Sequence, residues 1–311
     1  MDPNINSAYQ RPVLTGDVLS LNGISKNYGN IQALDNVSFT VPAGSVFGIL
    51  GPNGSGKTTM LGIVMEILKP TSGSFSFFGE IPHSAQRKHI GTLLETPNFY
   101  HYLSGERNLA INAAIKGCDP SEIPVALEKV NLTERKASRF STYSLGMKQR
   151  LAIASALLGN PDVLVFDEPT NGLDPVGIAE IRSLIIRLAS EGKTIIMASH
   201  LLDEVEKVCT HVAILKKGKL LTAGPVDEVL VNEDIVEVAA ADFEKLKNII
   251  SGMEGFKSIK EQNSHLYIYY PQGTADLEAI NHYCYERGIV LRHLQLKKKS
   301  LEAKFFELTN N

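Results

Sequence analysis

The chain has 311 residues, more than one typical domain holds, so a large domain with a smaller companion is expected. Its hydrophobic fraction of 43% and charged fraction of 21% allow a sizeable core and exclude disorder on a large scale. A net charge of -3 provides no global field for nucleic acid or a membrane surface. The dense basic run, Lys297-Lys298-Lys299, reads as a solvated face. Cys118, Cys209 and Cys284 are scattered and form neither a metal-ligand spacing nor a disulfide framework, which fits a reducing compartment. The stretch from Met1 to Arg11 is polar and carries no signal-peptide pattern. No apolar run reaches the roughly 18 residues that a membrane span needs. A membrane role would therefore require a separate partner to supply the spanning helices.

Residues 1–16 read as a flexible tail, with Pro3, Pro12 and Gly16. From Val18 to about Gly224, short β-rich runs alternate with longer helical ones. That is the pattern of an α/β domain around a largely parallel sheet. Residues 46–50 form a short apolar strand. The spacing of Leu61, Val64 and Leu68 predicts a helix over 57–69, ended by Pro70. Helical periodicity dominates from about 95 to 160 and reads as an insertion on the edge of the core, with helices over 105–116, 122–130 and 145–158. Residues 163–166 are apolar on both faces, as a central parallel strand should be, and 194–198 repeat that pattern. The first domain is taken as 17–230 and the second as 231–311. After a short helix at 227–231, the second domain reads β at 235–238, α at 243–250, β at 256–261 and 265–270, α at 275–287 and β at 290–296. This βαββαβ order is the split, ferredoxin-like α+β arrangement. Tyr267, Tyr269 and Tyr270 read as alternating strand residues, and a last helix is expected over 300–308.

Gly51-Pro52-Asn53-Gly54-Ser55-Gly56-Lys57-Thr58 fits the phosphate-binding P-loop pattern completely, with Thr59 following in the first helical turn. Glycines let backbone N–H groups approach a triphosphate with no Cβ in the way. The helix beginning near Lys57 adds the positive end of its dipole. Lys57 can reach the β- and γ-phosphates, and the Thr58 hydroxyl can ligate Mg²⁺. Asp167-Glu168 ends the strand at 163–166, and ligands in open parallel sheets bind beyond the carboxyl ends of strands. Both motifs thus fall on one edge of one sheet. Asp167 suits the Mg²⁺ shell and Glu168 suits a general base for water, although paired acids at a strand end also serve as helix caps. His200 follows the strand at 194–199 and reaches the same edge, where a γ-phosphate contact is expected.

In this order, the motifs resemble the ATP-binding cassette (ABC) family over about 18–224. Thr142-Tyr143-Ser144-Leu145-Gly146-Met147-Lys148-Gln149-Arg150-Leu151 is similar to that family's signature, standing shortly before Pro161 and the Asp167-Glu168 strand. Asn171-Gly172-Leu173-Asp174 resembles its D-loop, His200 its switch histidine, and Tyr28 its adenine-stacking aromatic. The resemblance implies a P-loop NTPase core of ABC type. It also implies ATP and Mg²⁺ as ligands, with Lys57, Glu168 and His200 in catalysis and Thr58, Asp167 and Glu95 around the metal. Two cassettes would pair head to tail, Ser144 and Gly146 of one facing the ATP held by the other. Tyr28 also fits a core or turn aromatic, and Asp174 also fits a helix cap.

Two departures stand out. Glu95 occupies the position usually held by a glutamine. Leu145 and Met147 replace a glycine and a glutamine in the signature. Both departures resemble the branch of ABC-2-type exporters that includes bacitracin and lantibiotic immunity transporters. The resemblance implies separately encoded polytopic permease subunits, docked on the insertion from 95 to about 140, and a homodimer or a sister ATPase. The cytoplasmic face of the membrane is the implied location. A soluble ABC-type ATPase acting on nucleic acid or the ribosome is the rival reading. The near-neutral charge and single cassette oppose it, and the Asp167-Glu168 pair opposes a non-hydrolysing sensor.

Overall fold

The computed structural model describes residues 16–94, 98–230, 233–271, 273–297 and 305. Glu95, the tail before Gly16 and the helix expected over 300–308, Phe305 excepted, lie outside the described residues. The chain divides into two compact units, Met1–Val226 and Asp227–Asn311. The break falls at Val226, a few residues before the sequence-based boundary at 230.

The first unit opens with β1 (Asp17–Tyr28), β2 (Ile31–Pro42), β3 (Val46–Leu50), α1 (Lys57–Val64), β4 (Ser72–Phe77) and β5 (Ile90–Leu93). The helical insertion follows as α2 (Gly105–Lys116), α3 (Glu122–Lys129) and α4 (Leu145–Leu157). The unit closes with β6 (Val163–Asp167), α5 (Pro175–Ser190), β7 (Thr194–Ser199), α6 (Leu202–Val208), β8 (His211–Lys216) and β9 (Lys219–Pro225). Six strands form one sheet in the order β5-β6-β7-β3-β8-β9. The first five are parallel and β9 runs antiparallel to β8. Every residue of β3, β6 and β7 is buried, because a parallel sheet is covered on both faces.

A second sheet, β2-β1-β4, is antiparallel. The sequence reading missed it, because bulges such as the one between Leu21 and Ile24 break the strict alternation that marks a strand. One apolar cluster, with Ile24, Leu34, Phe47, Met60 and Ile196, joins this sheet to α1 and the parallel sheet. Each such side chain contributes about 1.5–3 kcal/mol on burial.

α1 ends at Val64, short of the expected Lys69. Glu66 turns left-handed at φ 56, and the amides of Ile67 and Leu68 fold back onto the Gly62 carbonyl at 2.9 and 3.0 Å. A Cβ at Gly62 would stand 2.9 Å from Leu68 Cδ1. The glycine therefore lets Leu68 close against the helix and end it early. α2, α4 and α5 are capped at their N-termini by Ser104, Ser144 and Asp174, whose side chains accept from the amides of Arg107, Met147 and Gly177. The insertion seats on the sheet edge by close backbone approach: a Cβ at Gly91 of β5 would lie 2.2 Å from the Ala156 carbonyl of α4.

After α7 (Val226–Leu230), the second unit contains β10 (Glu233–Ala240), α8 (Phe243–Ser251), β11 (Ser258–Gln262), β12 (His265–Pro271), α9 (Leu277–Glu286) and β13 (Leu291–Lys297). Its antiparallel sheet has the order β11-β12-β10-β13, the spatial order of the split βαββαβ fold expected from the sequence. Val236, Val238, Leu266, Ile268 and Tyr270 share one core with Leu246 and Ile250 of α8 and Ile280 of α9. Tyr267 and Tyr269 alternate with these and take the opposite face. Cys284 is buried in this core and Cys209 in the first unit's interior, as free thiols, and burial raises both out of the ordinary thiol range.

Candidate functional site

Register in the parallel sheet decides which loops meet. Leu50 at the end of β3 pairs with Ser199 of β7, and Asp167 at the end of β6 pairs with Ala198. The residues that follow these strand ends therefore stand side by side at one edge. Thr58 Oγ1 donates to Asp167 Oδ2 at 2.9 Å. His200 Nδ1 lies 2.8 Å from Glu168 Oε2. Lys57, whose side chain is only 6% exposed, donates to the Gly51 carbonyl at 2.8 Å and to the Pro52 carbonyl at 3.4 Å. Its ammonium also lies 3.6 Å from Glu168 Oε1. Glu168 itself turns left-handed at φ 49, with its amide donating to the Ala198 carbonyl at 3.0 Å. A non-glycine residue in that region costs about 1–2 kcal/mol.

The loop is shaped to admit an anion. Gly56 takes φ 105, and a Cβ there would stand 2.7 Å from the Ala33 carbonyl. At Gly51 a Cβ would stand 2.3 Å from Ser55 Oγ and 2.5 Å from the Leu215 carbonyl. α1 begins at this loop with no side-chain cap, which leaves its first-turn N–H groups free for a ligand. The Ser55 hydroxyl is buried with no hydrogen-bond partner among the described residues, and a phosphate oxygen would satisfy it. Thr58 and Asp167 present hard oxygen donors, the chemistry Mg²⁺ selects. Among the described residues no cluster of three or more His, Cys, Asp or Glu is present. Mg²⁺ does not require one, since it completes its shell with water and phosphate oxygens.

A cleft of about 490 Å³ opens over the loop. It is lined by Asn53, Gly54, Ser55, Gly56, Lys57, Thr58, Thr59 and Glu168, and by four residues absent from the sequence reading: Ile31, Gln32, Ala33 and Lys217. Lys217-Gly218 between alternating runs is a hairpin signal, but only the placement of β8 beside β3 brings that turn to the loop. Tyr28 does not line the cleft. The residue is 45% exposed, with Lys26 Nζ 5.1 Å from its ring centroid. Ser144, Gly146 and Asp174 are also outside the lining. Ser144 and Asp174 serve as caps in the geometry described above. A Cβ at Gly146 would meet nothing within 4 Å, so nothing in the chain's own packing demands a glycine there. No helix among the described residues is long and apolar enough to cross a membrane.

The chain is similar to known proteins over most of its length. The profile of the ABC transporter family matches residues 34–171. The bacitracin transport ATP-binding protein of Bacillus licheniformis is 36% identical over 301 residues, covering 94% of this chain and 97% of that protein. The lantibiotic transport ATP-binding protein of Streptococcus pyogenes is 39% identical over 204 residues, 66% of this chain and 89% of its own length. Among solved structures, a component of an ABC transporter complex from Clostridium perfringens superposes with a TM-score of 0.64 at 29% identity, covering 76% of this chain and 96% of that one. A dimeric ATP-binding cassette in a post-hydrolysis state, bound to ADP and phosphate, superposes with a TM-score of 0.60 at 27% identity, covering 67% of this chain and 99% of that one. The chain belongs to the ABC transporter family, as an ATP-binding subunit that hydrolyses ATP.

Proposed function

We propose that this ATPase powers an exporter of the kind that carries peptide antimicrobials, working as a cassette pair under separately encoded polytopic permease subunits on the cytoplasmic face of the membrane. The likeness to the bacitracin and lantibiotic transport proteins supports this reading, as do Glu95, Leu145 and Met147, which depart from the commoner cassette pattern. The observation that carries the catalytic part is the convergence of Lys57, Glu168 and His200 beside the Thr58–Asp167 contact.

Lys57 would exchange its loop carbonyls and Glu168 for phosphate oxygens when ATP enters. Thr58, Asp167 and Glu95 would hold Mg²⁺, which neutralises charge on the phosphates when bound. Glu168 accepts a proton from the attacking water, whose oxygen displaces ADP from the γ-phosphorus, and His200 holds the Glu168 carboxylate in place. Ser144 and Gly146 would meet the ATP of the second cassette, and the open space at Gly146 is suited to such an approach. Asp174 would lie at the same junction. Tyr28, which is 45% exposed and carries Lys26 against its ring, would stack on adenine.

The permease would dock on the helical insertion. Tyr100 and Tyr102, 52% and 70% exposed and edge to face at 6.0 Å, offer an apolar surface there. The second unit would act as an interaction module supporting the pair. The deciding experiment is ATP turnover and ATP binding by Lys57→Ala. Loss of both supports the site, and near wild-type turnover would remove it. Mass spectrometry of proteins co-purifying with the chain from gently solubilised membranes tests the partner. A polytopic protein in near-equal amount supports transport, whereas recovery only with ribosomes or nucleic acid rejects it.

A further inference from the structure

We propose that Lys217 is a second cation for the nucleotide, acting on its phosphate chain from the turn between β8 and β9. This rests on the reading of the cleft as the ATP site. Lys216 pairs with Lys219, so Lys217 and Gly218 form a two-residue hairpin turn. Both are left-handed, at φ 47 and φ 80, which is the geometry of a type I′ turn. Asparagine or glycine suits the first of these positions, and lysine there costs about 1–2 kcal/mol. Of the non-glycine residues with positive φ, Glu168 and Lys217 both line the cleft. Strain of this kind collects at working positions when the surroundings enforce it.

The surroundings do enforce it. The Gly218 amide donates to the Ser55 carbonyl of the phosphate loop at 3.0 Å, and the Gly218 carbonyl accepts from the Asp35 amide at 2.9 Å. A Cβ at Gly218 would stand 2.7 Å from the Ala33 carbonyl. The turn is therefore bonded directly to the loop, which keeps the Lys217 backbone at the cleft, while its side chain is exposed to an incoming ligand.

Its charge is also uncommitted. Lys57 spends its ammonium on Gly51, Pro52 and Glu168, and Lys219 on the other side of the turn pairs with Asp35 at 3.3 Å. Lys217 makes no ion pair among the described residues. A triphosphate entering this cleft would meet Lys57 already neutralised by a carboxylate and Lys217 with its charge available. The role is positioning: Lys217 holds the phosphate chain and takes no part in proton transfer.

The test compares Lys217→Gly, Lys217→Arg and Lys219→Ala in the full chain. Glycine removes the charge and keeps the left-handed turn, so a melting temperature at or above wild type separates binding from folding. The expected result is a KM for ATP raised about five- to thirty-fold, with kcat falling much less. Affinity for ADP should drop in the same direction and that for adenosine should not change. Lys217→Arg should restore most of the loss, and Lys219→Ala should leave ATP affinity at wild-type level. Wild-type ATP affinity in Lys217→Gly, with Lys57→Ala unable to bind, overturns the role of Lys217 and leaves the site standing. Wild-type affinity in Lys57→Ala as well would overturn the site itself. A loss for adenosine equal to that for ATP would also overturn the proposal, since it would place Lys217 away from the phosphates.

Discussion

Two carboxylates, one in each unit, show how differently this chain treats an acid that a lysine and a histidine contact. Glu237 sits in the middle of β10 and is 7% exposed. Lys297 Nζ lies 2.7 Å from it, the Tyr267 hydroxyl donates to it at 2.6 Å, and His293 Nε2 lies 3.1 Å away. The Lys297 ammonium above all, with the Tyr267 hydroxyl, holds its carboxyl down to about 2. Glu168 stands at a strand end in a left-handed backbone, faces an open cleft, and shares its lysine with loop carbonyls. A saturated network inside a regular strand fixes a structure. A strained acid with partners that a ligand can claim is arranged for exchange. The contrast predicts that the same Glu→Gln change will have opposite consequences at the two positions.

The largest effect belongs to Glu168→Gln. ATP should still bind, while hydrolysis falls by about 10²–10⁴ as the proton acceptor is lost. Paired, ATP-loaded cassettes should accumulate and be visible by size-exclusion chromatography with light scattering. A variant that hydrolyses within a few-fold of wild type would make Glu168 as structural as Glu237 and end the distinction.

Much of this contrast could be anticipated from residues alone, and the rest could not. Strands 46–50, 163–166 and 194–198 were legible because both faces are apolar, and the helices expected over 105–116 and 145–158 stand at Gly105–Lys116 and Leu145–Leu157. The P-loop and the Asp167-Glu168 pair were legible because phosphate chemistry restricts their residue types. The antiparallel sheet of β1, β2 and β4 was not, since bulged strands lose the two-residue period. The Lys57–Glu168 contact and the entry of Lys217 into the cleft depend on strand order, with β3 between β7 and β8, which no local pattern encodes. Lys297 read as part of a solvated run, yet it is the principal partner of Glu237.

Glu237→Gln should leave ATP turnover at wild-type level and destabilise the second unit by about 1–3 kcal/mol, because Lys297 loses its counter-charge and Tyr267 its ionised acceptor. The same network fixes a pH dependence. The folded-state value of about 2 lies below the ordinary 4.5, so the contribution is complete above pH 4.5. It is lost as pH falls from about 4.5 towards 2. Thermal melts across that window should show the wild-type chain losing more stability than Glu237→Gln, and parallel curves would remove Glu237 from the account.

The smallest effect comes from Asp174, an acid of the first unit that is committed as Glu237 is, though more lightly. Its Oδ1 accepts from the Gly177 amide at 3.0 Å and caps α5, with Pro175 at the first helical position. The cap alone predicts that Asp174→Ala costs about 1 kcal/mol, while Asp174→Asn costs almost nothing because the amide oxygen can still accept. Asparagine therefore separates capping from any part in nucleotide exchange between paired cassettes. If Asp174→Asn melts like wild type and hydrolyses ATP like wild type, the residue is a cap and nothing more. If it melts like wild type but loses turnover, its charge acts outside its own chain. That outcome would require the carboxylate to face a second cassette, because within this chain its described contact is the helix it begins.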